Sequence, residues 1–235
     1  RFMESGWSVK YMHRLILLSS TYQMSSLVSD TGWDTDPSNR LWSHFNRRRL
    51  TFEELRDNYL LLSGKLDATI GGNLEFVTSE VPTREALQYV NNRRVDPDLT
   101  MRRSVYMPLH RNKLPTLLNL FDFGDATTSN GKRSQTIVAP QALYLMNSNF
   151  SNERSNEFSR RLLLENDVPI TENELVERAY LAALSRYPDP EERERVIRYM
   201  DRFKREQTSG DDARVAAWKS FCKMLMASNE FHYID

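Results

Sequence analysis

A single cysteine, Cys222, in a chain of 235 residues excludes an internal disulfide and any metal or iron–sulfur centre built from clustered thiolates. It stands at helical spacing from Trp218 and Leu225, which marks a buried small hydrophobe rather than a nucleophile. Histidine is as sparse. His13, His44, His110 and His232 have no second His three or four residues on, so no zinc motif forms along one helix face. No Cys-x-x-Cys-His run is present to attach a c-type haem. No apolar run, Leu15 to Leu18 included, approaches the roughly 20 residues that span a bilayer, so no transmembrane segment is expected. No Gly-x-Ser-x-Gly elbow presents a serine, and Ser129-Asn130-Gly131-Lys132 meets a Ser-x-x-Lys pattern only inside a polar loop. Gly71-Gly72 lacks the strand-turn-helix setting in which backbone N–H groups close on a phosphate. Charge of one sign is missing too: 32 basic and 32 acidic side chains cancel, which removes the long-range field that draws a protein to nucleic acid.

What is present describes a folded globular chain, 40% hydrophobic and 27% charged, long enough to bury a substantial core. The charge is uneven along it. Residues 84 to 113 hold seven Lys/Arg against three Asp/Glu, and residues 165 to 194 hold three against nine, so opposite patches are expected to meet each other or a neighbouring domain. The chain opens Arg1-Phe2-Met3-Glu4, with neither an initiator Met nor a signal peptide, and reads as part of a larger protein.

Apolar spacing predicts a mainly α fold. A first helix is expected from Ser8 to about Ser25 through Val9, Met12, Leu15, Ile16 and Tyr22, and a short second one through Leu41, Trp42 and Phe45. Thr51-Phe52-Glu53-Glu54 has capping-box spacing and starts a third, to about Ser63. A long irregular middle segment follows, in which Arg103 to Leu109 alternates like a short strand, so at most a short strand or hairpin is expected. Pro115 opens a short helix through Leu117, Leu118 and Phe121, and Gly124 to Ser134 is a loop. Pro140 begins a helix carrying Leu143, Met146 and Phe150, which continues or restarts through Phe158, Leu162 and Leu163. Thr171-Glu172-Asn173-Glu174 caps the next helix, Pro190 starts another, and the last carries Val215, Trp218, Cys222 and Leu225. The expectation is a single helical domain over 1–235, with a candidate subdivision into 1–134 and a C-terminal bundle at 135–235.

The most informative stretch runs from Arg133 to Ser148, where polar side chains interrupt an apolar run. With residues just upstream it supplies the candidate ligand-binding set Arg111, Asn112, Asp122, Arg133, Gln141 and Asn147. Arginine grips a carboxylate or sulfate through a planar fork, and Asn, Gln and Asp read sugar hydroxyls as donors and acceptors. The competing reading is structural: an Asp122–Arg133 ion pair pins the loop, while Gln141 and Asn147 tie backbone groups. No metal ligands are expected, and no catalytic residue is assigned.

An ordered string of motifs carries a resemblance. It comprises Gly6-Trp7-Ser8-Val9-Lys10 with His13-Arg14, Asn39-Arg40-Leu41-Trp42, Arg48-Arg49-Leu50 with Leu55-Arg56-Asp57, Ser104-Val105-Tyr106, Phe121-Asp122-Phe123, Pro140-Gln141-Ala142-Leu143 with Met146-Asn147-Ser148, and Ser228-Asn229-Glu230-Phe231. Across nearly all 235 residues the chain resembles the planctomycete-specific C-terminal domain of unknown function found in large planctomycete cytochrome c-like domain proteins. Gly124 departs from the proline expected after Phe121-Asp122-Phe123. The resemblance implies a bacterial cell envelope setting, periplasmic or exported, and other domains of the same polypeptide as partners. Polysaccharide is a second candidate partner. Haem is expected only on a separate domain, with no cofactor in this chain. Two functions follow as expectations: a helical binding or scaffolding module, or an enzyme acting on glycans or their sulfate esters through Asp122 and Arg133.

Overall fold

The computed structural model describes residues 1–28, 34–72, 100–107, 109, 114, 116–124, 127–164, 170–206 and 210–234. The mainly helical expectation holds. Nine helices are seen among the described residues, α1 (Val9–Leu17), α2 (Phe52–Leu62), α3 (Thr116–Leu120), α4 (Ala139–Asn147), α5 (Asn149–Leu164), α6 (Glu172–Leu184), α7 (Pro190–Glu206), α8 (Gly210–Met226) and α9 (Asn229–His232). Their extended structure is one antiparallel pair, β1 (Arg48–Arg49) with β2 (Tyr233–Ile234), in which Arg48 faces Ile234 and Arg49 faces Tyr233. Among the described residues no helix is long and apolar enough to cross a membrane. The chain divides into two compact units, Arg1–Arg49 with Tyr233–Asp235, and Leu50–His232.

In the first unit, Ser8 caps α1 by accepting the Tyr11 N–H at 3.2 Å. The helix stops at Leu17, well short of Ser25. Ser19 donates its hydroxyl to the Ile16 carbonyl at 2.7 Å, and the Gln23 amide donates to the Leu17 carbonyl at 3.2 Å. Those side chains satisfy the terminal carbonyls that a further turn would have used. The expected second helix is not formed. Asp36 is buried and accepts the N–H groups of Arg40 and Leu41 at 2.9 and 2.7 Å, while Asn39 and Trp42 adopt positive φ of 49° and 56°. Asn39 then holds the turn closed by donating to the His44 carbonyl at 2.7 Å. A carboxylate that supplies local partners for free N–H groups favours a turn over a helix.

The second unit holds the apolar core. Thr51 and Glu54 form the expected capping box, Thr51 N–H to Glu54 Oε2 at 2.8 Å and Glu54 N–H to Thr51 Oγ1 at 3.3 Å. Helix α2 lies against α5, and α5 against α8, with α4, α6 and α7 around them. Tyr59 sits at the centre with its ring 5.9 Å from Phe150 and 5.4 Å from Phe231, and its hydroxyl donates to the Met226 carbonyl at 2.9 Å. Burial pushes the Tyr59 phenol up to about 12, outweighing the Ser151 hydrogen bond, so it stays a neutral donor. Trp218 is fully buried and gives its indole N–H to Glu172 Oε2 at 2.9 Å, the same carboxylate that receives Arg214 Nε at 2.7 Å. Cys222 is buried beside it as expected, and burial alone raises its thiol well above the usual range.

The strand expected over Arg103 to Leu109 is replaced by a 3-10 turn, Ser104–Tyr106. Asp57 Oδ1 accepts both the N–H and the hydroxyl of Ser104, at 2.8 and 2.7 Å. The buried Arg56 donates to the carbonyls of Thr100 and Arg102. The Arg56-Asp57 pair on α2 thus holds the backbone around Ser104, whose neighbour Arg102 forms an isolated bridge with Asp67.

Candidate functional site

The signature stretch folds around the end of α3 and the start of α4. Helix α3 closes in a tight turn, with Phe123 N–H donating to the Leu118 carbonyl at 3.0 Å. Asp122 lies in that turn at φ 60° and Gly124 follows at 57°. Aspartate is one of the few side chains that tolerate the left-handed region. The turn aims Phe121 into the core, 5.3 Å from Phe52 and 5.8 Å from Tyr144, and lifts the Asp122 carboxylate toward the segment that leads into α4. There it accepts the Thr136 N–H at 2.8 Å through Oδ2 and the Thr136 hydroxyl at 2.7 Å through Oδ1.

Gln141 is only 5% exposed, and its amide is shared three ways. Nε2 donates to the Leu120 carbonyl at the end of α3 at 2.8 Å and to Thr136 Oγ1 at 3.4 Å, and Oε1 accepts the Val138 N–H at 3.4 Å. One side chain therefore satisfies a free carbonyl of α3 and a free N–H before α4.

Arg133 does not pair with Asp122. Its Nη1 reaches both carboxylate oxygens of Glu53, at 2.8 and 3.0 Å, and its guanidinium lies 4.5 Å from the Phe123 ring centroid. Glu53 belongs to the first turn of α2, so Arg133 ties the loop to the start of that helix. The expected Asp122–Arg133 pair is thereby corrected. Each of the two charges has a partner the sequence reading did not name, and a guanidinium committed to a carboxylate is not an open clamp for a sulfate. Asn147 sits exposed at the far end of α4, about 9 Å of helix rise from Gln141, where its carbonyl accepts the Asn152 amide at 3.4 Å. Arg111 and Asn112, like His110, lie outside the described residues.

The structure thus brings Asp122 and Gln141 together on Thr136, turns Arg133 toward Glu53, and leaves Asn147 apart. Among the described residues no group of three or more His, Cys, Asp or Glu could hold a metal ion. Sequence reasoning missed Thr136 and Glu53, which carry the site's hydrogen bonds, and it missed the outward face of α4. Ile137 before the helix and Leu143 and Met146 on it are 82%, 57% and 52% exposed, and Val138, Ala139 and Ala142 are also exposed. Ala139, Ala142, Leu143 and Met146 recur at the spacing of one helix face. Leu145 and Gln141 face the core from the other side.

A family model described as PSD1, protein of unknown function (DUF1553), matches residues 1–200. The match covers the signature stretch and ends before Ser228-Asn229-Glu230-Phe231. No curated protein and no solved structure matches the chain significantly.

Proposed function

The chain therefore belongs to the PSD1 family of proteins of unknown function, and from that premise we propose that it is a helical binding and scaffolding module rather than a catalyst. The observation that carries this reading is the contrast within the signature stretch. Its polar side chains bind the chain to itself, Asp122 to Thr136, Arg133 to Glu53 and Gln141 to Leu120, while its apolar ones, Ile137, Leu143 and Met146, face solvent. Buried amides and paired charges make α4 a rigid platform, and a rigid exposed apolar face is the usual mark of a protein contact. The proposed partner is another domain of the same polypeptide, the cytochrome c-like domain that the resemblance implies, on which haem would reside. The bacterial cell envelope and a planctomycete source belong to the same proposal. Polysaccharide suits this face less, because sugar recognition draws on aromatic platforms and fixed polar groups, and the exposed face of α4 offers neither. An enzyme using Asp122 and Arg133 would first have to release both from Thr136 and Glu53.

Surface plasmon resonance against the cytochrome c-like domain tests the reading, using wild type, Leu143→Asp, Met146→Asp and Arg133→Ala. A charge placed in a desolvated contact should weaken binding about 100-fold for either aspartate variant, and Arg133→Ala should change it less than about threefold. A glycan array would overturn the reading if neutral, uronic-acid or sulfated polysaccharide bound the chain and folded Arg133→Ala lost that binding.

A further inference from the structure

Arg56 and Arg154 are both buried in the second unit, and they differ in what accepts their hydrogen bonds. Arg56 donates to backbone carbonyls and to the Asp57 carboxylate. Arg154, on α5, has poorer acceptors. Its Nη1 donates to the thioether sulfur of Met101 at 3.4 Å, its Nη2 donates to Glu153 Oε2 at 3.1 Å, and its Nε has no partner among the described residues. The guanidinium carbon lies 5.8 Å from the Phe150 ring centroid. The Glu153 side chain is 65% exposed against 7% for Arg154, so water weakens that pair. A thioether is a weak acceptor, and a buried charged donor left short of acceptors opposes folding.

Met101 is placed so that a change at its sulfur reaches Arg154. Its carbonyl accepts the Asp67 N–H at 2.8 Å, and Arg56 binds the carbonyls of Thr100 and Arg102 on either side. The backbone is therefore held while the side chain, half-buried, packs at the edge of the core. Three rotatable bonds leave that side chain free to turn its sulfur in place.

We propose that Met101 is an oxidation site, converted to methionine sulfoxide by hydrogen peroxide and held in that state by Arg154. A free lone pair of Sδ attacks one peroxide oxygen, the O–O bond breaks, and the departing hydroxide takes the proton of the transferred oxygen and leaves as water. Sulfur loses two electrons and the peroxide gains them. Rotation about the Cγ–Sδ bond turns the new oxygen to Nη1, which then donates to a strong acceptor in place of a weak one. Oxidising a methionine that packs on a core ordinarily disrupts it. Here the buried guanidinium receives the new oxygen, so the sulfoxide stabilises the fold. The site rests on Arg154 and Met101 and stands whether or not α4 binds a partner domain.

Peroxide treatment of the 235-residue chain, followed by peptide mass spectrometry and thermal unfolding, tests it. Met101 should be oxidised at least about tenfold faster than Met107 and Met226, which are both buried. Comparing the peroxide-induced melting shift of wild type with that of Met101→Leu separates the share of Met101 from that of the exposed Met3, Met146 and Met224. That share should be upward by about 2–4 °C in wild type, and downward by about as much when the same comparison is made in Arg154→Leu. Met101→Gln places an amide oxygen within reach of Arg154 without peroxide and keeps the test independent of whether Arg154→Leu folds. It should melt about 2–4 °C above Met101→Leu, although leucine is the more apolar residue. Met101 oxidised as slowly as Met226, a wild-type share that is not upward, the same share with and without Arg154, or Met101→Gln melting no higher than Met101→Leu would each overturn the proposal.

Discussion

Substituting Asp122 separates the structural role of the signature stretch from a chemical one. Asp122→Ala removes two hydrogen bonds from Thr136 to a carboxylate and leaves alanine at φ 60°. At a partly exposed site such bonds contribute about 1 kcal/mol each, and the left-handed backbone costs a residue with a Cβ about 1 kcal/mol more. The expected loss is about 3 kcal/mol. Asp122→Gly removes the same bonds but relieves the backbone, for a loss of about 2 kcal/mol, and Asp122→Asn keeps an acceptor and the tolerated conformation, for about 1 kcal/mol. Urea denaturation followed by circular dichroism should rank the three variants in that order, with the melting temperature of Asp122→Ala lower by about 6–12 °C. Equal stability of all three variants and wild type would refute the reasoning. So would Asp122→Gly falling below Asp122→Ala, since the strain argument fixes their order.

Further expectations rest on other parts of the core. Burial opposes the Glu172 charge, but hydrogen bonds from Arg214 and Trp218 and the charges of Arg214 and Lys204 outweigh it and hold the carboxyl below its ordinary 4.5. A depressed folded-state pKa gives stability that is full above that ordinary value and lost as pH falls through the folded one, so wild type should weaken below about pH 4.5 and Glu172→Gln should flatten that decline in acid denaturation curves. Arg186 grips Glu192 at 2.7 and 2.8 Å and Glu230 at 2.5 and 2.8 Å, which ties α9 to the start of α7; Arg186→Ala should cost about 1–2 kcal/mol, and less in high salt, by urea denaturation. Cys222, buried with its thiol pushed upward, should resist a disulfide reagent in the native chain and react once urea unfolds it.

How much of this was legible in the sequence depended on how far each residue's partner lay along the chain. The capping boxes at Thr51 and Thr171 were readable because donor and acceptor are three residues apart. The buried face of α8, with Trp218, Cys222 and Leu225, followed from helical spacing alone. Leu41, Trp42 and Phe45 matched a helix period, yet the Asp36 carboxylate captured the N–H groups such a helix needs, and period says nothing about that competition. Arg103 to Leu109 alternated like a strand, but Ser104 was claimed by Asp57, 47 residues upstream. At the candidate site, Gln141 tying backbone groups was read correctly. Arg133 was assigned to Asp122, 11 residues upstream, whereas Glu53, 80 residues away, binds it. Thr136 went unnoticed because a lone threonine in a polar loop carries no signal until its acceptor is placed. Membership of a family of unknown function was readable from the ordered motifs, since their order needs no geometry.

The exposed face of α4 is the feature on which the scaffolding account depends, and Met146 reports on it directly. Oxidative footprinting with peroxide, read by mass spectrometry, should oxidise Met146 and the exposed Met3 readily in the chain alone. With a saturating cytochrome c-like domain, the account predicts that Met146 becomes protected while Met3 does not. Equal oxidation of Met146 with and without that domain would contradict it.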